Sequence, residues 1–124
     1  MKIQESAENY LETILILSKK NPLVRSIDIA NELDYAKPSV SVAMKNLREN
    51  GYIEMDSDWH ITLTEKGRPI AEAMYERHTL LTEWLVFLGV DKKIAAEDAC
   101  RIEHVISAES FEAIKKHVKI LNSN

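Results

Sequence analysis

The 124-residue sequence has a single cysteine, Cys100. A lone cysteine excludes an internal disulfide, which fits a reducing compartment and leaves the thiol for other chemistry. Long hydrophobic runs are missing too. The longest, WLVFLGV at Trp84–Val90, falls far short of the roughly 20 residues that span a membrane. The opening MKIQESAENY lacks the apolar core of a signal peptide. The expectation is a soluble cytoplasmic protein with no membrane partner. There is no internal repeat, no phosphate loop and no nucleophile constellation, so an enzyme is not expected. Net positive charge is also lacking. The chain carries −4 at pH 7, which argues against nonspecific binding of nucleic acid by the molecule as a whole. What is there, 45% hydrophobic and 29% charged residues, is a globular composition able to bury a core.

Apolar spacing predicts a mainly α fold. Tyr10, Leu11, Ile14, Leu15 and Leu17 form one face of a helix over 6–19, with Ser6 as its cap and Asn21-Pro22 as its stop. Ser26 is expected to cap a short helix to Leu33, and Asp34-Tyr35-Ala36 to turn the chain. Pro38 suits the first turn of the next helix, whose buried stripe is Val40, Met44 and Leu47, and Gly51 its left-handed end. Two short helices across a three-residue turn make a helix-turn-helix. Two strands, 52–55 and 60–63, joined by Asp56-Ser57-Asp58-Trp59, add a wing. A winged helix-turn-helix DNA-binding domain is thus expected over 1–70, and a helical dimerisation and metal-binding domain over 71–124. In the second domain, Thr64 is expected to cap a long helix to about Leu88, striped by Ile70, Met74, His78, Leu81, Leu85 and Leu88. Asp91 starts another helix to about Ile106, and Ser107 caps a last one over 109–121.

The stretch DACRIEHVIS, 98–107, places Cys100, Glu103 and His104 at i, i+3 and i+4. At about 100° per residue they share one side of the helix, roughly 130° from the stripe of Ala95, Ala99, Ile102 and Ile106. Thiolate, carboxylate and imidazole are the common ligands of divalent transition metals. Alone, the triplet is more simply a buried cysteine beside two solvated polar residues. His78 alone is more simply a satisfied core histidine, and Asn9 with Glu12 a solvated helix face. A site fed by three helices would unite all of these.

The pieces AENYLETI at 7–14, IANELDYAKPSVSVAMKNLRENGYI at 29–53, YERHTLL at 75–81 and EDACRIEHVIS at 97–107 resemble the diphtheria toxin repressor family of metal-dependent transcriptional regulators. The likeness covers nearly the whole chain. That family has an iron type with a third, SH3-like domain and a shorter manganese type without it, which this chain matches in length. The resemblance implies metal ligands at Asn9, Glu12, His78, Cys100, Glu103 and His104. Glu103 and His104 match both types. Cys100 matches the iron type, where the manganese type has glutamate. Glu12 and His78 match the manganese type, and Asn9 matches neither. The iron type's second site is incomplete, because Thr82 and Ala96 stand at two of its positions. The implied cofactor is a divalent transition metal, Fe2+ or Mn2+, for which Co2+, Ni2+ or Zn2+ can substitute.

In a helix-turn-helix the second helix enters the major groove N-terminus first. The residues so placed are Ala36, Lys37, Pro38, Ser39, Ser41 and Val42, with Lys45, Arg48 and Arg25 nearer the backbone. The segment Lys37–Arg48 carries three positive charges and no negative one, so a net acidic chain still offers one cationic face. The wing, with Asp56 and Asp58, is expected to contribute little to phosphate binding, apart from His60 and Arg25. Trp84, Leu85, Phe87 and Leu88 are more apolar than one small domain covers, and a symmetric dimer is expected there. The reading is a homodimeric metal-activated regulator of a palindromic operator in double-stranded DNA, a repressor of metal-uptake genes. The rival is a winged-helix factor that senses redox state or another ligand through Cys100.

Overall fold

The computed structural model describes residues 5–122. Residues 1–4 and 123–124, which the expected domain ranges include, lie outside the described residues. The elements run α1 (Glu5–Lys20), α2 (Ser26–Leu33), α3 (Lys37–Glu49), β1 (Ile53–Met55), β2 (Ile61–Leu63), α4 (Arg68–Phe87), α5 (Lys92–Val105) and α6 (Ala108–Asn122). The chain divides into two compact units, Met1–Tyr75 and Glu76–Asn124. Among the described residues, no helix is long and apolar enough to cross a membrane.

The first unit is a helix-turn-helix with a two-stranded antiparallel wing, paired Ile53 to Leu63 and Met55 to Ile61. Its core takes one stripe from each helix. Leu11, Ile14 and Leu15 come from α1, Ile29 and Ala30 from α2, and Val40, Met44 and Leu47 from α3, with Ile53 and Ile61 from the strands. The wing is pinned to this core by one backbone bond, from the Ile61 N–H to the Val24 carbonyl at 2.7 Å. Asp34 closes α2 in the left-handed region at φ 56°, and Gly51 follows α3 at φ 81°.

Several helix starts differ from the spacing argument. Ser6 lies inside α1 instead of capping it. Arg25, not Ser26, holds the N-cap position of α2, and its N–H donates to the Asp28 carboxylate at 2.9 Å. That exchange satisfies the turn without a serine hydroxyl. Thr64 does cap the turn that leads into α4, but the regular helix begins only at Arg68, because Pro69 has no N–H for the Glu65 carbonyl. Thr64 Oγ1 accepts the Gly67 N–H at 3.2 Å and donates to the Gly51 carbonyl at 2.6 Å. Gly67 is required here, because a Cβ would collide with the Tyr52 carbonyl oxygen. The strands are shorter than expected, without Tyr52 or His60. Leu88 is past the end of α4 and is 59% exposed, so it does not extend the buried stripe.

The wing turn is built around Asp56. Its Oδ1 accepts the N–H groups of Asp58 and His60, both at 2.9 Å, and its Oδ2 faces His60 Nδ1 at 3.0 Å. These bonds, the His60 N–H first, hold the Asp56 carboxyl below its ordinary value.

In the second unit Leu81, Ala95, Ala99, Phe111 and Val118 are buried. Asp91 caps α5 through the Lys93 N–H, and Ser107 accepts the Ser110 N–H at the start of α6. Arg77 ties the helices of this unit together. Its Nη1 donates to the carbonyls of Glu103 and Ile106 at 3.0 and 3.2 Å, and its guanidinium lies 5.4 Å from the Phe111 ring centroid. These carbonyls are among those a helix end leaves without partners. Lys115 on α6 adds an ion pair to Glu76 at 2.8 Å, which raises the Lys115 pKa.

Candidate metal centre and nucleic-acid interface

Helix spacing accounts for the first grouping. Residues i, i+3 and i+4 are neighbours on a helix surface. On α5 the ligand atoms of Cys100, Glu103 and His104 all lie within 4.8 Å of one another. Their environment is not the solvated one that the triplet alone suggests. Glu103 is fully buried, on the same stripe as Ala95 and Ala99, while Ile102 and Ile106 are only half-buried. The His104 ring is 3% exposed.

Two imidazoles flank the Glu103 carboxylate. His78 Nδ1, from α4, is 3.1 Å from Oε2. His104 Nε2 is 3.3 Å from Oε1, an oxygen to which no hydrogen bond is made among the described residues. An ionised carboxylate without water costs several kcal/mol unless positive charge compensates it. A bound cation beside the two imidazoles would supply that charge. A thiol, a carboxylate and an imidazole within 4.8 Å of one another, with a second imidazole on the other carboxylate oxygen, are donors that suit a divalent transition metal of intermediate softness. Arg77, which the sequence reading did not single out, holds the backbone carbonyl of Glu103 and so fixes the end of α5 that carries the site.

Asn9 and Glu12 belong to α1 of the first unit. Glu12 is 4% exposed, and Asn9 is half-buried, its carbonyl accepting the Thr13 hydroxyl at 2.8 Å. A buried glutamate there is not the solvated helix face of the simpler interpretation. Tyr10 beside them has its pKa raised, by burial first and by Tyr35 second.

The exposed face of α3 is the other candidate surface. Burial of Val40, Met44 and Leu47 turns Lys37, Pro38, Ser39, Ser41, Val42, Lys45 and Arg48 outward. Ala36, just before the helix, and Arg25, just before α2, are exposed as well. Val42 is 61% exposed, as suits a side chain meant to meet an apolar base group. Two further exposed aromatic residues, Tyr35 in the turn and Trp59 in the wing, went unmarked in the sequence reading. Exposure of an aromatic ring has no signature in local spacing.

Of the expected dimer residues, Phe87 and Leu88 are 64% and 59% exposed, and Trp84 and Leu85 are half-buried. Trp84 Nε1 is buried with no hydrogen-bond partner among the described residues. Val86, Ile94 and Val105 of the same unit are exposed too.

Comparison with known proteins covers both units. Residues 2–61 match the family model "Iron dependent repressor, N-terminal DNA binding domain", and residues 64–124 match "Iron dependent repressor, metal binding and dimerisation domain". An HTH-type transcriptional regulator of Methanocaldococcus jannaschii is 36% identical over 115 residues, covering 91% of this chain and 92% of its own. The iron-dependent repressor IdeR of Mycobacterium tuberculosis is 34% identical over 98% of this chain and 52% of its own. The structure of the manganese regulator SloR superposes with a TM-score of 0.81 at 27% identity, over 96% of this chain and 55% of that one. The chain therefore spans about half the length of these last two proteins.

Proposed function

The chain belongs to the iron dependent repressor family of transcriptional regulators, and from that premise we propose that it is a homodimeric, divalent-metal-activated repressor of metal-uptake genes. The observation that carries the proposal is the buried Glu103 carboxylate, set between His78 and His104 with Cys100 in reach. A helix-turn-helix in the same chain supplies the reading head. His78, Cys100, Glu103 and His104 would hold the ion, and the family resemblance adds Asn9 and Glu12. When bound, the ion supplies positive charge that the buried carboxylates require. The exposed face of α3 would enter the major groove of a palindromic operator, with Lys37 near base edges and Arg25, Lys45 and Arg48 on phosphates. The test is binding to a duplex from upstream of the protein's own gene, with chelator and with iron(II), manganese(II) or zinc(II) in turn. Binding that ignores all three metals counts against the proposal and favours the redox rival.

Dimerisation would use Trp84, Leu85, Phe87 and Leu88, of which Phe87 and Leu88 otherwise lie exposed to water. Sedimentation is expected to give a dimer at micromolar concentration. A monomer with and without metal removes the two-fold reader.

Iron(II) is the proposed physiological metal over manganese(II), because a thiolate is softer than the oxygen donors manganese prefers. Cys100 must give up its proton to bind, so affinity falls as pH falls. Cys100→Glu is expected to move the ratio of dissociation constants for cobalt(II) and manganese(II) towards manganese, measured anaerobically under reducing conditions. An unmoved ratio means that the thiol is not a ligand.

A further inference from the structure

The wing has no task in the proposed function, and its acidic residues explain why little was expected of it. The structure changes that account. Asp56 is occupied within the turn, as acceptor for two backbone N–H groups and as partner of His60. Its charge serves the hairpin. Next to it, Trp59 is 63% exposed and sits at φ 65°. A bulky side chain in the left-handed region is strained. The bonds from the Trp59 N–H to the Asp56 carbonyl and around Asp56 hold this backbone whatever side chain stands at 59. Glycine would suit the turn better. A large apolar residue that is both exposed and strained does little for folding, and such outliers point to function.

The indole lies on a surface basin of about 360 Å³ between the start of α2, α3 and the wing. Arg25, Lys45 and Arg48 wall it, and Ile27 and Met55 give it an apolar part. Among the described residues none of the three cations is in an ion pair, and Arg48 reaches only Met55 Sδ, at 3.8 Å. Lys45 and Arg48 belong to the exposed face of α3, so the basin continues the proposed DNA surface towards the wing.

We propose that this basin receives a sugar-phosphate unit of the DNA backbone beside the major-groove contact, with Trp59 packed on the sugar and Arg25, Lys45 and Arg48 around the phosphate. Three cations beside an aromatic face are complementary to a phosphodiester carrying a puckered, weakly polar sugar. The wing then acts through aromatic contact rather than through charge, which reconciles it with Asp56 and Asp58. Trp59 is on this account an affinity-determining residue for operator binding. The inference rests on the DNA-binding reading above.

The experiment uses the full chain with saturating iron(II), kept anaerobic and reduced, and a labelled duplex from upstream of its own gene, followed by fluorescence anisotropy at fixed salt. Trp59→Gly is expected to weaken binding about tenfold, on the scale of losing one aromatic contact to a nucleotide. The melting temperature should stay level or rise, because glycine relieves the strain at this φ. Trp59→Phe, which keeps a ring, should retain most of the affinity. The salt slope should not change in Trp59→Gly, whereas Lys45→Ala should reduce it by about one. Wild-type binding together with unaltered affinity in Trp59→Gly overturns the inference and leaves the DNA reading standing. A wild type that binds no duplex overturns the DNA reading, and the inference with it.

Discussion

Glu103→Gln is expected to cut metal affinity about a hundredfold while leaving the metal-free protein folded, because even the loss of an outer-shell partner costs 10–100-fold. Glutamine keeps the size of the side chain and an oxygen for the His78 ring. It removes the negative charge that a cation would neutralise. In the metal-free protein that charge is fully buried, so its removal relieves desolvation as well as losing attraction to the imidazoles, and the two effects oppose each other. With metal they do not. At a free metal concentration 100 times the wild-type dissociation constant, the ion adds about 2.7 kcal/mol of stability. After a hundredfold loss the same concentration equals the dissociation constant and adds only about 0.4 kcal/mol. The metal-induced rise in melting temperature should shrink by roughly 5–15 °C for a chain of this size. Calorimetric melting with chelator and with metal measures both states. A variant that keeps the full metal-induced rise shows that Glu103 is a structural partner of His78 and His104 and no more. His104→Ala is less clean, since it also strips an imidazole from a buried carboxylate and should lower the metal-free melting temperature.

Local spacing made the reading head legible. Val40, Met44 and Leu47 are buried at i, i+4 and i+7, Pro38 opens α3, and Gly51 follows it in the left-handed region. Thr64 caps the turn ahead of α4 through the Gly67 N–H, as the spacing has it, and the regular helix starts only at Arg68 because Pro69 has no N–H to offer the Glu65 carbonyl. The bond from Thr64 to Gly51 and the packing of Gly67 on the Tyr52 carbonyl join distant residues that nothing within 64–68 reveals. Leu88 continues an apolar period, but Gly89, at φ 104°, follows it and the helix has already stopped. The candidate metal ligands divide as well. Cys100, Glu103 and His104 converge by helix geometry alone, which their spacing reveals. The His78 contact joins residues 25 positions apart; its place in an apolar stripe marked His78, but left a satisfied core histidine as the simpler interpretation until the family resemblance was added. Full burial of Glu103 was not foreseen, because its angle placed it away from the apolar stripe. Arg77, from α4, bonds the Glu103 carbonyl and lies over the Phe111 ring of α6.

Metal is expected to tighten operator binding by about 5–150-fold, the 1–3 kcal/mol range of allosteric coupling. The proposed ligands are drawn from both parts of the chain, Asn9 and Glu12 on α1 and the remaining four on α4 and α5. An ion held by both sets would restrict the reading heads to the spacing that fits two half-sites. Without it, the heads would sample other spacings, and DNA would have to select the competent one. Coupling is reciprocal, so operator DNA should raise metal affinity by the same factor. Variants separate the two functions. Lys37→Ala and Lys45→Ala should weaken DNA binding at saturating metal while leaving metal affinity in the free protein intact. Glu12→Ala should do the opposite: the weak metal-free DNA affinity stays near its starting value, and the gain on adding metal is lost. Anisotropy with a labelled operator duplex at fixed salt, with saturating metal and with chelator, reads all four states. Equal affinity in the two conditions for the wild type would make the ion a structural element, and the regulatory proposal would fail even with every ligand correctly assigned.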